Sequence, residues 1–192
     1  MKDYEAVNIL DMANAVGEDA VKSILSEFEC ARNVEIETFV KRNALEFAKR
    51  KMSITYLVID EDGELSAIFT LTHKAVQLLG AGLSSSVRRK IERHAKLDEQ
   101  SGTYMLSAFL IAQFGKNDCY KEEITGNQLM DMTMNVLVSV QREIGGGVVY
   151  LECEEKPQLL TFYENEQNRF RAFGERFAEK DQVKYIQLLR LF

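Results

Sequence analysis

The chain has 192 residues, a formal net charge of −6 and a sequence pI of about 5.1, with 46% hydrophobic and 28% charged residues. This length suits a single domain with a hydrophobic core of its own, and the acidic balance argues against general binding to nucleic-acid backbones. The apolar runs are all shorter than the ~18 residues that span a membrane, and acids interrupt the first of them, so we expect neither a transmembrane helix nor a secretory signal.

The N-terminal quarter of the chain is predicted to be helical. Apolar residues recur at helical spacing over residues 18–29 and again over 34–50. Asn33 is a good N-cap for the second of these helices, which carries acids early and basic residues late, as the helix dipole favours. Residues 1–27 are interpreted as an N-terminal strand and helix added to the rest of a single domain that covers the whole chain.

The pattern then changes to that of β-strands. Residues 54–60 (ITYLVID) and 64–72 (ELSAIFTLT) are rich in β-branched and aromatic residues, and a turn sequence at 61–63 (EDG) separates them. These three segments predict a β-hairpin. Residues 84–96 then predict a short capped helix.

The centre of the chain predicts a strand–helix–strand unit. Residues 103–114 (TYMLSAFLIAQF) are apolar almost throughout, which is typical of a strand covered on both faces. Residues 126–144 carry a wide apolar helical face, and the glycines at 145–147 end that helix. Residues 148–154 (VVYLECE) form the second strand, which we expect to run parallel to the first.

The last part of the chain predicts a helix and two closing strands. Pro157 suits the first turn of a helix, where a backbone N–H needs no partner. Residues 170–178 and 183–192 are β-like. The predicted fold class is therefore α/β, with a central mixed β-sheet and helices on both of its faces.

The bend before residue 126 is the first candidate for a site. In open sheets of this kind, ligands bind beyond the carboxyl ends of strands, and the N-terminus of a helix attracts anions. The helix begins near Thr125, and Gly126 removes a side chain where a ligand would approach. Lys116 and Lys121 could add positive charge, while the acidic pair at 122–123 opposes it. An ordinary flexible turn explains the glycine equally well.

The order of these segments resembles the GNAT superfamily of N-acetyltransferases. The resemblance rests on the hairpin, the strand SAFLIAQF, the glycine-fronted helix, the strand VVYLECE and the helix containing FYE, and it covers about residues 28–192. The stretch at 28–47 (FECARNVEIETFVKRNALEF) is also similar to the N-terminal helical region of the branch that includes tRNA-acetylating toxins.

The resemblance implies a binding site for acetyl-coenzyme A as cosubstrate. In this family the bend after the fourth strand has Arg or Gln, two residues, Gly, one residue, then Gly or Ala, and its amides bind the pyrophosphate. On this chain the pattern falls on Lys121, Ile124 and Gly126. The implied cofactor-binding residues of the bend are Lys121, Thr125, Gly126 and Asn127. Ile124 replaces a glycine, so its side chain must tilt away or the loop must take another course.

The family also implies roles for the central strand and for one tyrosine. The strand residues Leu110, Ile111, Ala112 and Gln113 would lie along the pantetheine arm of the cofactor. Tyr163 would donate a proton to the leaving thiolate as the catalytic residue. The alternative for Tyr163 is a core residue whose hydroxyl reaches the surface.

The general base has no clear candidate in the sequence. Glu154 and Glu155 lie at the expected end of a strand, although solvated loop charges explain them as well. His73 and His94 are the only histidines, and their spacing supports no joint site. We expect no metal site.

The segment 88–96 carries five basic residues and one acid. It could receive the 3′-phosphate of coenzyme A, an acidic partner or RNA, but a solvated helix with ordinary surface charge is the simpler interpretation.

The sequence therefore predicts an acetyl-CoA-dependent N-acetyltransferase acting on an amine of a small molecule or protein. Three departures from the family pattern keep open a catalytically silent protein that binds acyl-CoA or a partner. They are Ile124, Lys156 where many members have Asn, and the absence after Glu164 of the Gly-Phe that often follows Tyr-Glu in the family. A third hypothesis, a toxin that acetylates charged tRNA, conflicts with the acidic charge balance. Three widely spaced cysteines favour a cytoplasmic protein with reduced thiols, and the edge strand at 183–192 could pair in a homodimer.

Overall fold

A computed structural model describes residues 2–120, 123–179 and 182–192. The described residues form seven helices and eight strands. The helices are α1 (Ile9–Val16), α2 (Glu18–Ser26), α3 (Val34–Arg42), α4 (Ala44–Lys49), α5 (Ser85–Ile91), α6 (Gly126–Ile144) and α7 (Pro157–Glu164). The strands are β1 (Tyr4–Asn8), β2 (Ile54–Asp60), β3 (Leu65–Leu79), β4 (Leu97–Asp98), β5 (Thr103–Lys116), β6 (Val148–Glu154), β7 (Arg171–Ala178) and β8 (Val183–Leu191).

The strands form a mixed sheet in the order β1-β2-β3-β5-β6-β8-β7, and β4 pairs with β5 outside this path. The predicted hairpin is the antiparallel pair β2–β3, and β5 runs parallel to β6. β1, β7 and β8 add antiparallel neighbours. The mixed sheet that the sequence predicted is therefore confirmed, as is the strand–helix–strand unit at its centre. The prediction of an exposed edge at 183–192 is wrong, because β8 pairs with β6 on one side and with β7 on the other.

The chain divides into two compact units. Unit 1 comprises Met1–Thr72 and Ile111–Val136, and unit 2 comprises His73–Leu110 and Leu137–Phe192. The prediction of a single domain over the whole chain stays a prediction.

The core of unit 1 gathers the apolar faces of the four N-terminal helices against β2 and β3. Its buried members include the helix positions that periodicity predicted. They are Ile9, Val21, Leu25, Phe28, Val40, Ala44, Leu45, Ala48, Leu57, Leu65 and Ile68. Burial of these faces, rather than intrinsic helix propensity, stabilises helices as short as these.

The core of unit 2 lies between α5 and the strands. Its buried members alternate along each strand, as a sheet with one covered face requires. They are Val76, Leu78, Ile91, Tyr104, Leu106, Ala108, Val148, Tyr150 and Leu189. The prediction that the strand at 103–114 is covered on both faces is therefore wrong for its first half, where Met105 is 59% exposed. The hydroxyl of Tyr104 donates to Glu92 Oε1 over 2.9 Å, so this buried aromatic residue is also hydrogen-bonded.

Three element boundaries differ from the predictions. The single helix predicted at 34–50 is interrupted at Asn43, whose φ of −118° departs from helical geometry, since Asn is a weak helix former. β3 continues to Leu79, and its last five residues alternate between exposed and buried. The helix predicted at 84–96 ends at Ile91, and β4 follows it.

Within the described ranges, every helix is too short or too polar to cross a membrane.

Candidate active site

The loop from residue 117 to 125, which joins β5 to α6, is anchored by Asn117. This side chain is 1% exposed. Its backbone N–H donates to Ser66 O over 2.9 Å, and its Nδ2 donates to Leu65 O over 2.8 Å. Its Oδ1 accepts from the N–H of Glu29 over 3.1 Å. The amide thus joins the loop to β3 and to the segment before α3.

Two further residues hold the first half of this loop. The N–H of Asp118 donates to Glu29 O over 2.7 Å, and Asp118 Oδ2 accepts from the N–H of Ala31 over 2.7 Å. The hydroxyl of Tyr120 donates to Glu64 Oε2 over 2.8 Å, a bond that raises the pKa of Tyr120 to about 12. The loop is therefore built on specific hydrogen bonds, in contrast to the flexible turn that the sequence left open.

The start of α6 is a capping box. The N–H of Gln128 donates to Thr125 Oγ1 over 3.1 Å, and Gln128 Oε1 accepts from the Thr125 N–H over 2.9 Å. The first helical bond runs from the Leu129 N–H to Thr125 O over 3.1 Å. Thr125 is thus the N-cap, and Gly126 and Asn127 are the first two helical residues. The helix begins where the sequence predicted.

Ile124, which stands where the family pattern has a glycine, turns its side chain into the protein and is 1% exposed. Its carbonyl oxygen accepts from Lys116 Nζ over 3.0 Å. Burying the side chain keeps it away from solvent at the start of α6. Thr125, by contrast, is exposed and Gly126 is half-buried.

The described charged side chains near the start of α6 have specific partners in the structure. Lys116 is bonded to the Ile124 carbonyl, so its ammonium group also stabilises the loop. The carboxylate of Glu123 pairs with Lys2 Nζ over 2.8 Å. Lys121, the predicted counterpart of the family's Arg or Gln, and Glu122 lie outside the described residues.

The predicted pantetheine-binding residues lie on β5. Leu110 belongs to unit 2, where it pairs with Tyr150 of β6, as Phe109 does with Val149. The other three, residues 111–113, belong to unit 1, where Ile111 is buried, Ala112 is exposed and Gln113 is half-buried. Their role in cofactor binding stays a prediction.

Tyr163 is on α7 and is 7% exposed. Its ring makes edge contacts with Phe162 and Phe170 at centroid distances of 5.0 and 5.9 Å. Burial raises the pKa of Tyr163, and the neighbouring thiol of Cys153 adds to the effect. The phenol therefore keeps its proton at neutral pH and can act as a hydrogen-bond donor. Its catalytic role stays a prediction.

The candidates for a general base have other partners. Glu154 pairs with Lys156 over 2.5 Å, and Glu155 pairs with Lys184 over 3.1 Å. His73 lines a shallow cavity of about 280 Å³ with Ser107 and other residues of unit 2. No base can be assigned from these contacts.

The other histidine, His94, lies against Gly147. A β-carbon on Gly147 would be 2.1 Å from the His94 ring, so this glycine leaves room for the ring. The described residues contain no group of three or more His, Cys, Asp or Glu side chains arranged to hold a metal ion.

Sequence reasoning missed a charged cluster in unit 2, centred on Glu152. Arg176 donates to Glu152 Oε2 from Nε over 3.0 Å and from Nη2 over 2.7 Å. Tyr150 and Gln187 donate to Glu152 Oε1 over 2.5 and 3.2 Å. Burial by itself would raise the pKa of Glu152, but these hydrogen bonds outweigh it and lower the pKa to about 2. The sequence signal that could have indicated this cluster is Glu152 itself, an acidic residue inside the apolar strand VVYLECE.

The basic segment at 88–96 lies on α5 and the turn after it. Arg88 Nη2 donates to Gly80 O over 3.0 Å, which holds α5 to the end of β3. All five basic side chains of the segment are exposed. They are Arg88, Arg89, Lys90, Arg93 and Lys96.

No protein-family profile and no curated protein sequence matches this chain. Solved structures do resemble it in three dimensions. AtaT complexed with acetyl-methionyl-tRNAfMet has a TM-score of 0.66 at 14% identity, covering 95% of this chain and 94% of that one. AtaTR bound with AcCoA has a TM-score of 0.58 at 13% identity, covering 97% and 92%. The NatC complex bound to Gag peptide and CoA has a TM-score of 0.58 at 13% identity, covering 100% and 98%. This chain therefore has the fold of the GNAT N-acetyltransferases, as its sequence predicted.

Proposed function

We propose that this chain, which has the GNAT fold, is an N-acetyltransferase that moves an acetyl group from acetyl-CoA to an amine of a small molecule or protein. The amine nitrogen attacks the thioester carbonyl carbon, the C–S bond breaks, and coenzyme A leaves as a thiolate that is then protonated. The amine gives up one proton, to solvent or to a base that we do not assign. Structures of similar fold hold acetyl-CoA or CoA, which supports the choice of cosubstrate.

One observation carries the proposal: the capped start of α6 follows a loop in which Ile124 is buried. The first amides of a helix have no carbonyl partner within it, and the helix dipole makes this end attractive to phosphate. With the Ile124 side chain turned inward, the departure from the family glycine does not block this end. We propose that Gly126 and Asn127 bind the diphosphate through their backbone, with Lys121 adding charge. Thr125, whose N–H is bonded to Gln128 Oε1, contributes by fixing where the helix begins.

The strand β5 supplies the second part of the proposed site. We assign the backbone of residues 110–113 to the amides of the pantetheine arm. A backbone N–H of this strand would polarise the thioester carbonyl as the oxyanion forms. Holding acetyl-CoA and the amine together lowers the activation free energy of the transfer by roughly several kcal/mol.

Tyr163 is proposed as the proton donor to the leaving thiolate. Its raised pKa keeps the phenol protonated, as a donor must be, but also makes it a weaker acid, so the role rests on the family placement of the residue. The low exposure of the ring supports it too, since a buried donor is not exchanged for water at the moment of reaction.

A second candidate acceptor is the amino group of an aminoacyl-tRNA. The likeness to AtaT, whose structure contains acetyl-methionyl-tRNAfMet, and the five exposed cations at 88–96 favour it. The net charge of −6 opposes it, because RNA phosphates are repelled by an acidic surface. A silent protein that binds acyl-CoA or a partner without turnover is the remaining alternative.

Two measurements on the full chain separate these functions. Isothermal calorimetry with acetyl-CoA tests binding, and release of free thiol tests turnover on a panel of small amines, peptide N-termini and aminoacyl-tRNA. Binding with turnover on amines or peptides supports the proposal, and turnover confined to aminoacyl-tRNA supports the second candidate. Binding without thiol release indicates the silent protein that binds acyl-CoA. The absence of binding overturns both acetyltransferase functions and leaves the silent protein that binds a partner.

A further inference from the structure

The ammonium group of Lys2 lies among three carboxylates of unit 1. Its Nζ is 2.9 Å from Asp60 Oδ2, 3.0 Å from Asp62 Oδ2 and 2.8 Å from Glu123 Oε2. The Lys2 side chain is 29% exposed and that of Asp60 is completely buried. One cation thus compensates several anions, one of which has no contact with solvent.

The buried carboxylate is organised by the turn between β2 and β3. Asp60 Oδ1 accepts from the N–H groups of Asp62 and Glu64 over 3.0 and 2.9 Å. Burial by itself would raise the pKa of Asp60, but the hydrogen bonds from Lys2 and from these two amides outweigh it and lower the pKa. Glu123, Asp60 and Asp62 in turn raise the pKa of Lys2. Lys2 and the buried Asp60 are therefore both charged at neutral pH.

The same turn is bonded twice to the loop that precedes α6. Tyr120 of the loop donates to Glu64 of the turn. Lys2 forms the second connection, since it contacts Asp60 and Asp62 of the turn and Glu123 of the loop. Glu123 is two residues before Thr125, the N-cap of α6. Lys2 therefore links Glu123 to the turn and compensates its charge.

We propose that Lys2 is a positioning residue for the anion site at the start of α6, an inference that rests on the proposed function. It holds Glu123, two residues before the N-cap, in place and cancels its charge. Without Lys2, the Glu123 carboxylate would be repelled by Asp60 and Asp62 and would itself repel an incoming diphosphate.

The test compares acetyl-CoA affinity by calorimetry in the full chain. We expect Lys2→Met, which keeps the apolar stem and removes the charge, to raise Kd roughly fivefold or more. Lys2→Arg keeps the charge and should bind like the parent protein. The double variant Lys2→Met with Glu123→Gln removes one charge of each sign and should recover most of the lost affinity.

Lys22→Met is the matched control. Lys22 is also in unit 1 and pairs with two acids, Glu18 and Asp19, but its side chain is 55% exposed and its partners are on α2. Its Kd should not change. A general loss of surface charge would affect both lysine variants equally, which would contradict the proposal.

The outcomes separate this inference from the proposed function. If the parent protein binds and Lys2→Met binds equally well, the role of Lys2 is overturned while the function stands. If the parent protein does not bind acetyl-CoA, the proposed function is overturned, and the role of Lys2 that rests on it is overturned as well. If circular dichroism shows that Lys2→Met is unfolded, the acetyl-CoA affinity of the double variant is the deciding measurement. An affinity like that of the parent supports charge compensation. An affinity as weak as that of a folded Gly126→Val variant overturns it.

Discussion

The side chains of Thr125 and Gln128 bond each other's backbone at the start of α6, with Oγ1 accepting over 3.1 Å and Oε1 accepting over 2.9 Å. The Thr125 hydroxyl also donates to Gln128 Oε1 over 2.8 Å. Both residues therefore define where α6 begins, and α6 is the helix to which we assign the diphosphate. Because the bonds are reciprocal, losing either side chain leaves the backbone N–H of the other residue without its hydrogen bond.

Thr125→Ala should destabilise the protein by about 1 kcal/mol, since an N-cap hydroxyl is lost. The urea midpoint of unfolding at constant m-value measures this. Thr125→Ser is the control, because serine provides the same acceptor, and its midpoint should stay near that of the parent. An unchanged midpoint in the alanine variant would show that the capping box adds nothing to stability.

Asn117→Ala should lower the free energy of unfolding by roughly 2–3 kcal/mol, because it leaves the Leu65 carbonyl and the Glu29 N–H without their buried partner. Asn117→Asp keeps the acceptor oxygen but buries a carboxylate whose second oxygen faces the Leu65 carbonyl, so it should lose at least as much. Hydrogen exchange should show faster exchange at the Glu29 amide in the alanine variant. Parent-like exchange at that amide would mean that Asn117 does not anchor the loop.

Gly126→Val should weaken acetyl-CoA binding about tenfold, because a branched side chain at the first helical position would stand where the diphosphate approaches the backbone. Gly126→Ala is the smaller step and should weaken binding less. Calorimetry with acetyl-CoA measures both. Affinity that is unchanged in the valine variant counts against a phosphate site at this helix start.

Tyr163→Phe should lower kcat about a hundredfold while leaving Kd for acetyl-CoA unchanged, since only the proton donor is removed. Burial raises the pKa of Tyr163, so kcat of the parent should show no loss from phenol ionisation below about pH 9. Thiol-release assays across this pH range test both statements. If turnover and affinity fall together, Tyr163 is a packing residue.

Glu152 should make stability depend on acid pH. Its pKa is about 2 in the folded protein and about 4.3 when unfolded, so the unfolded chain binds the proton more tightly. The contribution is fully present above the unfolded value and is lost as pH falls through the folded value. After allowance for solvent screening it amounts to roughly 1–2 kcal/mol.

Urea unfolding of Glu152→Gln at pH 7, 5, 4 and 3 measures this contribution. The variant should be less stable than the parent at pH 7, and the difference should shrink toward pH 3. The exposed Glu99 provides the control variant Glu99→Gln, which should follow the parent. A difference that is constant with pH would mean that Glu152 acts through packing instead of charge.

The sequence by itself determined the order of the main elements and the fold class. Periodicity over 126–144 and the near-continuous apolar run over 103–114 are strong signals, because helix and strand periods follow from backbone geometry alone. The start of α6 at Thr125 was predictable for the same reason, since caps are local interactions. The GNAT resemblance rests on this order of elements, and likeness to solved structures confirmed it at 12–15% identity.

Only the tertiary structure decided which charges are compensated and which side chains are buried. The sequence left two possibilities for Ile124, a side chain that tilts away or a loop that takes another path. In the structure the side chain is buried in unit 1. Lys2 and Glu123 are far apart in the chain, as are Glu152 and Arg176, yet each pair is in direct contact. Such pairs join separate strands and loops, and because the net interaction of a charge depends on burial and on its partners, no local pattern in the sequence encodes it.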